Sequence, residues 1–386
     1  MKGKAFFAAL LKREEGTRLK TKALSLLLVT LFLAQSASAT TYPLTITPGR
    51  SWPMSVVADS ARGLVYFDAT SGEYPPTGFS FGVVNASTHE VVKVLALDVY
   101  AGPLALDQEN GDVFVGGSTT IAVFDAANQT FVHEINVGKP VLSIAYDGSV
   151  SDDLFVTSDY QVLAVNPQTG EVVRNATLAN KVDGIALDPS NGRLYVGEYP
   201  QGGISVLEAA SLAPVGNIGL PGCCALQLAL DYRSQMLYAA TGTNDVYVVN
   251  TGTDTFVKSS PVTSSGQNST NEIVVDNTTG RVYVASSPGG SVLELDTDGD
   301  VVQHYDVESQ VAALAIDTRT EELYATNYHQ ITVFDASRSR TFLLAIFIGV
   351  AVTAAGAVLV YLFLRRREEG ERMKVQSGSF GPPQTR

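Results

Sequence analysis

The stretch "DGIALDPSNGRLYV" (183–196) decides the fold. Apolar residues lead to Asp188, a polar turn follows, and an aromatic, Tyr195, comes seven residues after the Asp. The Asp carboxylate is suited to accept hydrogen bonds from the backbone amides just ahead of it. Gly192, four residues on, sits where a positive φ is expected. The run after it is rich in strand formers. The unit therefore reads as a β-hairpin, and it recurs. Copies pair Asp59 with Tyr66, Asp107 with Phe114, Asp231 with Tyr238, Asp276 with Tyr283 and Asp317 with Tyr324. A seventh, "LSIAYDGSVSDDLFV" (142–156), pairs Asp147 with Phe155 and is one residue longer. Gly63, Gly111 and Gly280 repeat the glycine position. From Asp59 to Asp317 the spacing averages 43 residues.

Between copies lie two more strand-like segments, such as "IAVFDA" (121–126) and "TFVHEINV" (130–137), separated by a polar turn. Four short strands at a period of about 40–45 residues describe a β-propeller blade. Alternation with period 2, broken by Gly and Asn, excludes a helical solenoid. The seventh repeat stops after its third strand, "QITVFDA" (330–336), and an orphan strand, "YPLTITPG" (42–49), precedes the first. The expected fold is all-β: a seven-bladed propeller of four-stranded blades. The N-terminal strand completes the last blade and removes its exposed edge.

The segment "VLAVNPQTGEVVRNATLANKVDGIALDPSNGRLYVGEY" (162–199) resembles the YVTN-type propeller repeat of archaeal and bacterial surface proteins, and "YATN" (324–327) is one letter from its name motif. The resemblance covers about residues 42–336. It implies a propeller at the surface of an archaeal or bacterial cell. It implies no catalytic motif, because such propellers include surface-layer proteins, binding modules and a few enzymes.

Both ends suggest export and anchoring. Residues 1–22 are basic, "ALSLLLVTLFLA" (23–34) is apolar, and Ala37 and Ala39 complete a small-residue cleavage pattern. Residues 1–39 are therefore expected to be a secretory signal peptide. "TFLLAIFIGVAVTAAGAVLVYLFL" (341–364) has no charge and is followed by Arg365, Arg366 and Arg367. At 1.5 Å per residue it reaches about 36 Å, enough for a single-pass transmembrane helix. The basic flank places residues 365–386 in the cytoplasm as a short tail and the propeller, 40–337, outside. Residues 40–340 carry a net charge of −21, against −13 for the whole chain. Such an acidic ectodomain argues against nucleic acid and anionic lipid as partners.

In a propeller the innermost strand A runs from the face carrying the D–A and B–C loops to the face carrying the A–B and C–D turns. The last blade leaves the ring at the end of strand C. About five residues then precede the apolar segment, so the A–B turn face is expected near the membrane and the D–A face outward. Residues near the channel on that outer face are Trp52, Asp68, Asp159, Asp183, Glu198, Gln227, Glu272 and Asn327. Trp52, Asp183, Glu198, Glu272 and Asn327 are the candidate binding set. Converging carboxylates there would suit a divalent cation, since hard cations take oxygen ligands. A ring of solvated loop acids is the plainer reading, and no cofactor is otherwise expected.

His89, His133, His304 and His329 lack the neighbours of a zinc site or a catalytic triad. Five sequons, at Asn85, Asn128, Asn175, Asn268 and Asn277, make the chain a candidate glycoprotein. Cys223 and Cys224, its only cysteines, fall in the D–A loop entering the fifth blade. Outside the cell they are expected to form a bond between neighbours, a strained ring at a loop tip that closes no long loop, with free thiols or an intermolecular link as the alternatives. Two functions follow. The first is a non-enzymatic cell-surface module binding an envelope protein, a glycan or a small ligand through its outer face. The second is a propeller enzyme, gluconolactonase-like or quinoprotein-like, with a metal or cofactor in the channel. A single tryptophan, Trp52, weakens the quinoprotein version.

Overall fold

The computed structural model describes residues 51–71, 78–98, 100, 102–200, 202–222, 224–262, 269–287, 290–307, 309–327 and 330–337. The expected signal peptide (1–39), the expected closing strand (42–49), the apolar segment 341–364 and the expected tail lie outside the described residues.

Seven antiparallel sheets follow one another along the chain. Blade 1 holds β1 (Ser51–Asp59), β2 (Leu64–Ser71), β3 (Gly78–Asn85) and β4 (Glu90–Leu97). Blade 2 holds β5 (Leu104–Leu106), β6 (Val113–Gly116), β7 (Thr120–Asp125) and β8 (Thr130–Asn136). Blade 3 holds β9 (Ser143–Ala145), β10 (Leu154–Ser158), β11 (Gln161–Val165) and β12 (Val172–Thr177). Blade 4 holds β13 (Lys181–Asp188), β14 (Arg193–Tyr199), β15 (Gly203–Glu208) and β16 (Pro214–Ile218). Blade 5 holds β17 (Gln227–Asp231), β18 (Met236–Ala240), β19 (Asp245–Asn250) and β20 (Thr255–Pro261). Blade 6 holds β21 (Ser269–Asp276), β22 (Arg281–Ser287), β23 (Ser291–Leu295) and β24 (Val301–Asp306). Blade 7 has three strands among the described residues: β25 (Val311–Asp317), β26 (Glu322–Asn327) and β27 (Ile331–Asp335).

The hydrophobic effect explains the order within each blade. Second strands such as β2 and β10 are buried on both faces, and their sequences open with apolar runs, LVYF and LFV. Fourth strands such as β4 and β8 alternate between exposed and half-buried residues, because one face meets water. The buried side chains form seven clusters, each shared by two adjacent blades. One joins blade 7 to blade 1, packing Ala313, Tyr324 and Val333 against Val56, Phe67 and Val84. The inner strands pack in sequence from β1 to β25, and β25 packs back against β1, so the ring is closed. The repeat aromatics Tyr66, Phe114, Phe155, Tyr195, Tyr238, Tyr283 and Tyr324 are all buried in these seams.

The hairpin turns behave as the repeat implies. Asp188 accepts from the Ser190 amide at 2.9 Å, and Asp276 from the Thr278 amide at 2.8 Å. Gly63, Gly111, Gly192 and Gly280 have φ of 67°, 84°, 67° and 72°. In blades 5 and 7 the same place is held by Gln235 and Glu321, at 57° and 56°.

The outer edge carries a device that the repeat does not advertise. All six described fourth strands contain a β-bulge at the same place, and the extra residue is always valine: Val92, Val132, Val173, Val215, Val257 and Val302. Each is 39–51% exposed. Bulges kink an edge strand and spoil it as a template for another chain. The next residue reaches the neighbouring blade in three cases. Lys93 Nζ donates to the Gln129 carbonyl, His133 Nε2 lies 2.7 Å from the Pro167 carbonyl oxygen, and Lys258 pairs with Asp300 at 3.9 Å.

Candidate functional site: the channel mouth on the D–A loop face

The first strands enter the ring irregularly. Bulges interrupt β1 between Pro53 and Ser55, β13 between Val182 and Ile185, β21 between Thr270 and Glu272, and β25 between Val311 and Ala313. All four lie at the channel mouth, where bulges re-aim side chains.

Asp183 lies inside the β13 bulge and is half-buried. Its backbone carbonyl accepts from Thr157 Oγ1 of blade 3 at 2.7 Å. Burial pushes its carboxyl up to about 6. Glu272 begins the regular part of β21, also half-buried. Burial, and then the charge of Asp183, push it up to about 8. The fold thus brings into electrostatic range two acids from blades 4 and 6, with β17 and its Gln227 between those blades.

The remaining candidates are held differently. Glu198 is buried, accepting from Asn180 Nδ2 at 2.6 Å and from Ser205 Oγ within its own blade. Asn327 is buried, and its side-chain oxygen accepts from the Gln330 amide at 2.9 Å. Trp52 faces Thr70 in the β1–β2 register, and its side chain lies outside the described residues. Asp68 is fully buried as a clasp between blades 1 and 2, accepting from the amides of Ser55 and Gly102 at 2.8 Å each. Burial outweighs those amides and pushes its carboxyl up to about 8. Among the described residues, no group of three or more His, Cys, Asp or Glu side chains could hold a metal ion.

Cys224 lies in the loop between β16 and β17, where the repeat placed it. It is 3% exposed, and its Sγ lies 3.4 Å from the Thr241 carbonyl oxygen. That side chain is packed into the blade rather than offered at a loop tip. Cys223 lies outside the described residues. Of the sequons, Asn128 and Asn175 are exposed, Asn85 at the end of β3 and Asn277 in a turn are half-buried, and Asn268 lies outside the described residues.

The carboxylate pattern does not mark the exposed apolar groups on this face. Tyr100 and Leu142 stand in D–A loops, Tyr160 in the β10–β11 turn and Tyr199 at the end of β14, each 37–47% exposed. The available signal was an aromatic or aliphatic residue in a loop where turn chemistry asks only for polar ones. No known family model matches the chain, and no curated protein matches it either.

Proposed function

We propose that this chain is a membrane-anchored, extracytoplasmic propeller of an archaeal or bacterial envelope. It acts as a non-enzymatic binding module, and the D–A and B–C loop face is its contact surface. The observation that carries the reading is the difference between the two faces. On the A–B and C–D face every described turn except β15–β16 repeats one design, an Asp or Asn side chain capping the backbone ahead of it, as at Asn85, Asp188 and Asn250, and one of these turns exposes a tyrosine, Tyr232. The opposite face has irregular loops that expose Tyr100, Leu142, Tyr160 and Tyr199. Exposed aromatics with one apolar and one polar end are the groups that dominate binding surfaces. The basic and apolar N-terminus and the apolar segment 341–364 with Arg365–Arg367 support export and anchoring. The orphan strand 42–49 is assigned to the outer edge of blade 7, and Cys223 and Cys224 to a bond with each other.

Capture of partners by the tagged full chain from native envelopes tests the reading. A specific envelope component, lost on substituting the tyrosines of the D–A face, is expected. Capture that survives those changes contradicts it. Mass spectrometry of the unreduced protein tests the cysteine bond: two alkylatable thiols would refute it.

The Asp183–Glu272 pair favours a second reading, a channel site for a divalent cation in a propeller enzyme. A rise in melting temperature at millimolar Ca²⁺, abolished by Glu272→Gln, is the outcome that reading requires.

A further inference from the structure

We propose that Asp159, Tyr160, Lys181 and Tyr199 form a platform for a neutral glycan at the seam of blades 3 and 4. The inference rests on the binding-module reading and names the ligand class of that surface.

The placement is fixed by backbone hydrogen bonds. Asp159 and Tyr160 are the two central residues of the β10–β11 hairpin, closed by the Ser158–Gln161 pair. The Tyr160 carbonyl accepts from the Leu178 amide at 2.8 Å, and the Asp159 carbonyl accepts from the Val182 amide at 2.7 Å. The hairpin tip is therefore bonded to both the end of blade 3 and the start of blade 4. Lys181, next to Val182, is the direct cross-strand partner of Tyr199. Directly opposed residues put their side chains on one face, with Cβ atoms about 4.5–5.5 Å apart. Two ring-bearing positions and two charges thus share one stretch of rim.

The side chains are exposed and uncommitted. Tyr160 is 44% and Tyr199 46% exposed, and Asp159 and Lys181 are exposed. None of the four side chains has a hydrogen-bond or ion-pair partner among the described residues, whereas Lys93, Lys139 and Lys258 each have one.

The chemistry selects the ligand. A pyranose offers a C–H face to an aromatic ring and vicinal hydroxyls that donate to a carboxylate and accept from an ammonium. Tyrosine provides large contact area at low entropic cost, and here the backbone is already held. A protein partner would need a desolvated apolar centre, but Tyr199 stands directly opposite the charged Lys181. A polyanionic glycan would meet the net charge of −21 carried by residues 40–340.

The test presents the full-length chain, in detergent micelles, to an array of neutral and anionic glycans. Binding to at least one neutral class is expected, weakened at least ten-fold in the Tyr160→Ala/Tyr199→Ala pair. Tyr160→Phe should retain binding, because the ring face is kept, and its melting temperature controls for folding. Undiminished binding by the alanine pair, or binding only to anionic glycans, overturns the proposal. Failure on every neutral glycan also overturns it. If the same protein still captures an envelope component through its D–A face, the binding-module reading stands without it.

Discussion

The Nε2 atom of His89, in blade 1, lies 3.1 Å from both carboxylate oxygens of Glu322 in blade 7, 233 positions further along the chain. The same seam carries a bond from the Thr318 amide to Ser60 Oγ at 2.9 Å and one from the Tyr324 hydroxyl to the Ala86 carbonyl at 3.4 Å. The described residues thus close the ring by contacts between first and last blades. Tyr324 is fully buried there. Tyr324→Ala is expected to cost about 3–5 kcal/mol, as for other large buried aromatics. The Tyr324 hydroxyl also lies 3.2 Å from the Glu322 carboxylate, so Tyr324→Phe should cost about 1–3 kcal/mol, the net worth of a hydrogen bond to a charged group. Urea midpoints at constant slope measure both. A loss under about 1 kcal/mol for the alanine variant would mean that this seam does not hold the ring.

Two glycines of blade 4 separate backbone strain from crowding. Gly192 has φ of 67° and nothing within 4 Å of where a Cβ would stand. Gly192→Ala should cost about 1–2 kcal/mol through the left-handed conformation alone. Gly197 has no positive φ, but a Cβ there would lie 2.3 Å from the Ala225 carbonyl oxygen of the next blade. Gly197→Ala should therefore cost about 1–3 kcal/mol through overpacking. Gln235 already occupies the left-handed position in blade 5. Gln235→Gly is expected to be neutral or stabilising by up to about 1 kcal/mol, relief of strain offsetting glycine's entropy. Chemical denaturation of the three variants orders them.

The repeat was legible because each of its marks has one local cause. Asp188 caps a turn, Gly192 turns left, and Tyr195 fills a seam, so spacing alone exposes the blade. The bulges were not legible. Val173 reads as any other strand residue in "EVVRNA", and only the pairing of Val172 and Arg174 shows that it is the extra one. At the mouth, the positions of Asp183, Glu198 and Glu272 followed from the repeat, but their states did not. Whether a carboxylate faces water or meets Asn180 and Ser205, as Glu198 does, depends on side chains brought together by strand pairing.

The mouth acids set a pH dependence. Glu272 is raised from 4.5 to about 8, so the folded protein holds more protons than the unfolded chain between those values. Stability contributed by Glu272 is therefore present below about pH 4.5 and is lost as pH rises toward 8. Glu272→Gln should leave the melting temperature nearly unchanged at pH 5 and raise it at pH 9. Asp183, raised to about 6, adds a smaller loss at lower pH. Melting curves across that range check both; an equal effect of Glu272→Gln at pH 5 and pH 9 would remove the argument.

The central claim is that the D–A and B–C loop face makes the contacts. A photo-crosslinking amino acid placed in turn at Tyr100, Tyr160, Tyr199 and Tyr232 of the full chain, in native envelopes, tests it most directly. The first three stand on that face, and Tyr232, 38% exposed, lies in an A–B turn on the other. Adducts from the first three positions and none from Tyr232 are expected. Adducts from Tyr232 alone would contradict the account.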